Sequence, residues 1–312
     1  MPVTGGLKMI DQPLIRELST LLPHDRVRLR EPMSAHTSFQ IGGPADVLIA
    51  PASLDGLKIS LAWARCHGIP VTIIGNATNL LVRDKGIRGL VIKIAGNLSA
   101  VSFRGTNVRA EAGVSLADLS RMAAERGLTG LEFTCGIPGT LGGAVVMNAG
   151  AYGGEMKDVV ARVSVIDLEG AEATLNRGDL GFGYRKSSLQ RGDRIVISVD
   201  LELKEGDAGA IAAVMEDLQK RRKAKQPLDW PSAGSVFKRP EGHFTGQLIE
   251  GAGLKGARVG DAQVSEIHSG FIVNRGRATA ADVLGLIRRI QEEVLSRSGV
   301  RLVPEIRIIG EE

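Results

Sequence analysis

The chain has 312 residues and a formal net charge of +4, with 43% hydrophobic and 24% charged residues. That is enough apolar material for one large domain or two, and too mild a charge to point to nucleic acid, although it suits an anionic small molecule. The two cysteines, Cys66 and Cys135, exclude a disulfide framework or a cysteine-rich metal site and suit a reducing compartment. The N-terminal residues lack the apolar stretch of a signal peptide, and no apolar run reaches the ~18 residues of a membrane span, so a cytoplasmic location is expected.

In chain order, residues 1–30 read as an N-terminal extension. Ser53 caps a helix to His67, with Leu54, Leu57 and Leu61 on one face and Gly68 at its end. Val71–Gly75 and Leu90–Ala95 read as buried strands, and Val108–Ala112 as another. Ser115 and Asp118 are spaced as a capping box for a second helix, with Leu116, Leu119, Met122 and Ala123 inward and Gly127 as its stop. Strands follow at Ala161–Asp167 and Arg194–Leu203, so this region is mixed α+β. Lys204–Asp207 marks the expected boundary. Beyond it, Ile211, Val214, Met215 and Leu218 predict a helix with a basic last turn. A further helix is expected over Ala280–Ser298, stopped by Gly299, and a final strand over Arg301–Ile309.

Glycine supplies 40 residues, seven of them between 136 and 154, in Cys135-Gly136-Ile137-Pro138-Gly139-Thr140-Leu141-Gly142-Gly143-Ala144 and Asn148-Ala149-Gly150-Ala151-Tyr152-Gly153-Gly154. Clustered glycine costs backbone entropy on folding; the usual reason for it is close approach of main chain to a ligand, above all to diphosphate oxygens held by bare N–H groups. The stretch fits neither the Walker pattern nor G-x-G-x-x-G. A glycine-rich surface turn is the plain alternative. Ile73-Ile74-Gly75-Asn76-Ala77-Thr78-Asn79-Leu80 is a strand ending in a second small, polar turn; alone it reads equally as a plain β-turn, but two such turns favour an extended diphosphate.

Three more segments carry candidate chemistry. Gly183-Tyr184-Arg185-Lys186-Ser187 offers an arginine able to grip a carboxylate, or simply a solvated one. Ala233-Gly234-Ser235-Val236-Phe237-Lys238 sets a serine in a tight turn that is no nucleophile elbow. Pro304-Glu305-Ile306-Arg307 places Glu305 and Arg307 on one face of the expected last strand, where an edge ion pair is the plain reading. His24, His36, His67, His243 and His268 show no metal-ligand spacing, so no metal is expected. The basic run 220–225 lacks interleaved aromatics, and no nucleic-acid partner is expected.

The order of these motifs resembles the UDP-N-acetylenolpyruvoylglucosamine reductase family. The resemblance rests on Thr37-Ser38-Phe39-Gln40-Ile41-Gly42-Gly43-Pro44-Ala45, the Gly75–Val82 turn, Gly136–Gly154, Gly183–Ser187, Gln226-Pro227 and Ala233–Lys238. It continues through Leu248–Gly256, Phe271-Ile272-Val273-Asn274 and Pro304–Arg307. It implies an α+β fold: a vanillyl-alcohol-oxidase-like FAD-binding domain over 31–204, in two subdomains of about 31–100 and 101–204, then a smaller α+β UDP-sugar domain over 205–312.

By the same resemblance, FAD binds non-covalently at Gly75, Asn76, Ala77, Thr78, Asn79, Leu80, Gly136, Gly139, Thr140, Gly142, Gly143, Asn148, Ala149 and Gly150, with its diphosphate against Gly75–Asn79 and Gly139–Gly143. Arg185, Ser235 and Glu305 take the catalytic places. Tyr152, Lys225, Arg239, His268 and Arg307 meet the nucleotide sugar. NADPH is the co-substrate, UDP-N-acetylglucosamine-enolpyruvate the substrate, and peptidoglycan precursor synthesis the setting. The chain departs from the family where Ala77 and Thr78 stand in place of glycine and serine; Ala77 allows close approach on a negative φ. The short stretch from Arg185 to Lys204 matches the branch without a lid-tyrosine insertion. Another FAD-dependent oxidoreductase on the same flavin fold, or a non-catalytic nucleotide-sugar-binding protein, are the alternatives.

Overall fold

The computed structural model describes residues 10–23 and 26–312. Much of the expected N-terminal extension, Met1–Met9 with His24 and Asp25, lies outside them. The helices are α1 (Gln12–Leu21), α2 (Leu54–His67), α3 (Leu116–Ala124), α4 (Leu141–Met147), α5 (Ala208–Lys225), α6 (Thr245–Gly251) and α7 (Ala280–Ser298). The fold is α+β.

Local chemistry sets the helix ends. Ser53 Oγ accepts from Gly56 N–H at 3.1 Å and left-handed Gly68 closes α2. Ser115 Oγ accepts from Asp118 N–H at 3.3 Å at the start of α3. Thr279 and Asp282 cap α7 reciprocally, at 3.1 and 2.9 Å, and Gly299 ends it. Each such cap is worth about 1 kcal/mol. α4 lies inside the glycine-rich stretch, where the sequence reading had only turns; Thr140 caps it through Gly143 N–H and Asn148 ends it left-handed.

The chain forms two compact units. The first takes the chain up to Glu31, Ala45–Asn76 and Arg88–Gln219; the second takes Pro32–Pro44, Ala77–Ile87 and Lys220–Glu312. In the first unit, a four-stranded sheet runs in the order 26–32, 44–50, 87–93, 71–74, with its last pair parallel. A five-stranded antiparallel sheet runs in the order 172–176, 160–167, 194–202, 107–111, 101–104. Lys204–Glu205 pairs with Leu128–Thr129 in this same unit. The core holds Val47, Leu57, Leu61, Leu90, Leu116, Leu119, Val163 and Val199, and takes in Leu18 of α1 and the following Leu22. Each fully buried side chain of this size contributes roughly 1.5–3 kcal/mol.

In the second unit, 258–259, 262–264 and 272–274 form an antiparallel sheet against α7. Phe39, Ile41, Leu81, Val236, Ile249, Val283, Ile287 and Ile290 fill its core. Arg307–Ile309 pairs in parallel with Leu80–Val82. The expected strand 301–309 is therefore shorter: Pro304 makes only an isolated bridge with Phe237, the chain bends at Ile306, and Glu305 and Arg307 do not share one strand face. Among the described residues, no helix is long and apolar enough to cross a membrane.

Candidate active site

The first unit brings two of the small-residue turns together. The strand 71–74 leads into Gly75, where a Cβ would overlap Thr140 Oγ1. Asn76 Nδ2 donates to Pro138 O at 3.1 Å. Among the described residues, the N–H groups of Gly75, Asn76, Gly139 and Thr140 have no protein acceptor. Free N–H groups at two adjoining turns, one of them with no room for a Cβ at residue 75, fit the diphosphate of a dinucleotide.

Other residues of these turns serve the scaffold. Gly142 is buried with its N–H on Ala112 O at 2.9 Å, and a Cβ there would lie 2.9 Å from Ala112 Cβ, so its bareness serves helix–strand packing. Gly143 N–H reaches Thr140 Oγ1 at 3.4 Å. Gly136 is half-buried, and Ala149 N–H bonds Ala144 O at 2.8 Å. Asn148 is fully buried: its Nδ2 donates to Glu155 Oε2 (3.0 Å) and Gly183 O (2.9 Å), and its Oδ1 accepts from Lys157 N–H (2.9 Å). Both Nδ2 protons are therefore spent within the protein, which leaves that side chain no donor for a cofactor.

Ala77 is left-handed at φ +50°, not the negative φ on which the sequence reading made close approach depend. The conformation costs an alanine roughly 1–2 kcal/mol. Ala77 O accepts from Ser38 N–H at 3.4 Å. Thr78 is half-buried. Asn79 Nδ2 donates to Glu305 O (3.3 Å), Asn79 O accepts from Arg307 N–H (2.9 Å), and Leu80 pairs with Arg307, so this turn is tied to the segment carrying Glu305.

Arg185 lies in a tight turn in the first unit. Gly183 and Lys186 exchange both main-chain hydrogen bonds, at 3.0 and 3.1 Å. Arg185, third of the four residues, has φ +52°, where glycine is usual. Its Nη2 donates to Gly150 O at 2.7 Å, and its guanidinium lies 5.1 Å from the Tyr184 ring centre. A Cβ on Gly150 would fall 2.6 Å from Gly154 O and 2.7 Å from Glu155 Cγ. Lys157 foremost, with Asn148 and Arg185, holds the Glu155 carboxyl below the usual carboxylate range. Tyr152 is half exposed, also left-handed at φ +53°, and its hydroxyl reaches Leu218 O of α5 at 3.4 Å.

In the second unit, left-handed Gly234 presents Ser235 at the surface. Ser235 bridges to Phe271 and Val236 N–H bonds Gly270 O at 2.9 Å, while Val236 O accepts from Glu305 N–H at 2.7 Å. Ser235 and half-buried Glu305 thus sit on adjoining segments. His268 Nδ1 accepts from Gly270 N–H at 3.1 Å and its ring meets the edge of Phe271 at 5.0 Å. Burial pushes its pKa down, so at neutral pH the imidazole is neutral with Nε2–H as the donor. Arg239 stacks 3.9 Å over Phe244 and its Nε donates to His243 O. Lys225, the last residue of α5, and Arg307 are exposed.

Sequence reasoning missed the scaffold beneath Arg185: Glu155, Ser187 and Gln190. Ser187 Oγ donates to Val146 O at 2.7 Å, and Gln190 Nε2 donates to Arg185 O at 2.9 Å. For Ser187 and Gln190 the only local signal was a polar residue within five positions of Arg185, and for Glu155, thirty residues away, there was none.

Comparison with known proteins is consistent across the chain. Residues 45–176 match the family described as FAD binding domain, and residues 226–309 match UDP-N-acetylenolpyruvoylglucosamine reductase, C-terminal domain. The UDP-N-acetylenolpyruvoylglucosamine reductase of Alkaliphilus oremlandii is 52% identical over 297 residues, covering 95% of this chain and 98% of that one. That of Caldanaerobacter subterraneus subsp. tengcongensis is 53% identical over 298 residues, covering 96% and 98%. The crystal structure of the Thermus caldophilus reductase superposes with a TM-score of 0.79 at 40% identity, covering 91% of this chain and 98% of that one.

Proposed function

The chain belongs to the UDP-N-acetylenolpyruvoylglucosamine reductase family, and from that premise we propose that it reduces the enolpyruvyl ether of UDP-N-acetylglucosamine-enolpyruvate to UDP-N-acetylmuramate, with FAD bound and NADPH as reductant. The observation that carries this reading is the pairing of Gly75 with Thr140 and of Asn76 with Pro138 O, inside the region that matches an FAD binding domain. FAD, when bound, supplies hydride exchange between the nicotinamide and the enolpyruvyl ether.

The chain's own residues do the rest. The free N–H groups of Gly75, Asn76, Gly139 and Thr140 hold the cofactor diphosphate. Hydride arriving at C3 of the enolpyruvyl group leaves negative charge on C2 and its carboxylate. Arg185 meets that charge, and a preorganised cation there lowers the barrier more than it tightens the ground state. Glu305, when it carries a proton, hydrogen-bonds the carboxylate. Ser235 gives its proton to C2 as general acid. Tyr152, Lys225, Arg239, His268 and Arg307 receive the nucleotide sugar. Residues 31–204 serve the flavin, apart from Arg185 and Tyr152, which meet the substrate, and 205–312 serve the sugar nucleotide. The chain reads as the branch without the lid-tyrosine insertion, and the product feeds peptidoglycan assembly in the cytoplasm.

Another flavin oxidoreductase or a silent nucleotide-sugar binder is less well supported, because neither asks for Ser235 and Glu305 on adjoining segments. The test is anaerobic and needs no coupled assay. The purified protein should be yellow, release its flavin on heating, bleach with NADPH, and regain colour on addition of the enolpyruvyl nucleotide sugar. Colourless protein, or colour that returns only with oxygen, would contradict the proposal.

A further inference from the structure

Arg185 is an arginine in a glycine conformation, and a conformation of that kind persists only where the surroundings enforce it. Three contacts enforce it here. At the guanidinium end, Nη2 is fixed on Gly150 O at 2.7 Å. At the start of the turn, Asn148 Nδ2 holds Gly183 O at 2.9 Å. At the main chain of Arg185 itself, the carbonyl accepts from Gln190 Nε2 at 2.9 Å. The same Nε2 donates to Val146 O at 3.2 Å and also lies 3.4 Å from Met147 Sδ, a weaker acceptor. Two carbonyls facing one amide nitrogen match its two protons and favour one way for the amide to point.

Val146 lies in the last turn of α4, where helix carbonyls have no partner within the helix. Ser187 Oγ takes the same carbonyl at 2.7 Å. The other end of α4 begins at Thr140, beside Gly75. Gln190 therefore fastens the Arg185 turn to the far end of the helix whose start forms part of the diphosphate cradle.

From this geometry we infer that Gln190 is a positioning residue for Arg185: by holding the Arg185 carbonyl it keeps the backbone left-handed and the guanidinium aimed at the site of developing charge. It touches neither substrate nor cofactor and acts only through Arg185. The inference rests on the role proposed above for Arg185, and its test separates the two.

The test is a double-mutant cycle read by half-reaction. Gln190→Leu keeps the volume and removes both donors; Gln190→Ala replaces it if the leucine variant does not fold, with bound-flavin absorbance and melting temperature as folding controls. The expected result is a fall of about 10- to 100-fold in the rate at which the enolpyruvyl substrate reoxidises the reduced protein, the cost of a small misplacement of a charge-stabilising group. Flavin bleaching by NADPH should stay within about twofold of wild type, and in the Arg185→Ala background Gln190→Leu should add no further loss.

A wild-type reoxidation rate in Gln190→Leu, equal slowing of both half-reactions, or the same fold loss with and without Arg185 would each overturn the inference. If Arg185→Ala alone leaves reoxidation intact, the role proposed for Arg185 fails and this inference falls with it. If Arg185→Ala is impaired and Gln190→Leu is not, only the inference about Gln190 fails.

Discussion

Gly75 and Thr140 are packed so closely that a methyl group on residue 75 would overlap Thr140 Oγ1, the oxygen that accepts from Gly143 N–H and caps α4. One contact thus links the turn at the end of the first-unit strand to the helix that begins in the glycine-rich stretch. Gly75→Ala forces Thr140 out of its cap, a loss of about 1 kcal/mol in helix stability, and narrows the cradle. The expected outcome is protein purified with a lower ratio of flavin to protein absorbance and a lower melting temperature after flavin removal. Full flavin content in Gly75→Ala would show that the cradle lies elsewhere.

Ser235 lies at the surface of the second unit with no role in its core. Ser235→Ala should leave folding, flavin content and NADPH bleaching unchanged. Reoxidation by the enolpyruvyl substrate should fall at least 10²–10⁴-fold, the range for loss of an acid–base group. Stopped-flow measurement of each half-reaction decides it; equal slowing of both would make Ser235 a structural residue.

Under the proposed function, Arg185 and Glu305 act on one developing charge of the substrate. Arg185→Ala should cost on the order of 3–4 kcal/mol of transition-state stabilisation, as removal of a preorganised donor does. Glu305→Gln keeps shape and a donor but removes the titrating proton. Because groups acting as a unit are not additive, the double variant should be little slower than the slower single. Losses that add in kcal/mol would mean that the two residues act on separate events.

His268 is held neutral by burial, its pKa pushed below the ordinary 6.5. The unfolded chain therefore binds this proton more readily than the folded one, and stability falls as pH drops from 6.5 toward the folded pKa. The contribution is fully present above 6.5. Melting temperature recorded from pH 7.5 down to pH 5.5 should fall more steeply in the wild type than in His268→Gln. Parallel curves would remove His268 as the source.

Much of the fold was legible because its signals are local. Ser53 and Gly68 announce the ends of α2, and Gly299 the end of α7, through caps that depend on one or two residues. α4 escaped notice because two glycines in seven residues lower helix propensity; the helix is set by the Thr140 cap and by packing of Gly142 on Ala112, a partner thirty residues away. The last strand was drawn too long because Pro304 and Glu305 are claimed by Phe237 and Val236, leaving Arg307–Ile309 for Leu80–Val82. Phe39, Ile41 and Leu81 join the core of the second unit through contacts that no local pattern encodes.

Less of the proposed site was legible in the residues themselves. The small-residue turns pointed to Gly75 and Thr140, whereas Arg185, Ser235 and Glu305 each had a plain reading and entered only through the family resemblance. The motifs gave no hint that the Asn148 side chain is spent on Glu155, Gly183 and Lys157, or that Ala77 and Arg185 hold left-handed backbones. Backbone sign and the ownership of a buried amide depend on tertiary neighbours.

The most direct measurement of the central claim is steady-state NADPH oxidation by the purified yellow protein, with and without UDP-N-acetylglucosamine-enolpyruvate, followed by mass analysis of the nucleotide sugar. The account predicts oxidation that depends on the enolpyruvyl sugar and a product heavier by two hydrogens, formed one for one with NADPH consumed. NADPH oxidation that ignores the sugar, or a sugar recovered unchanged, would contradict it.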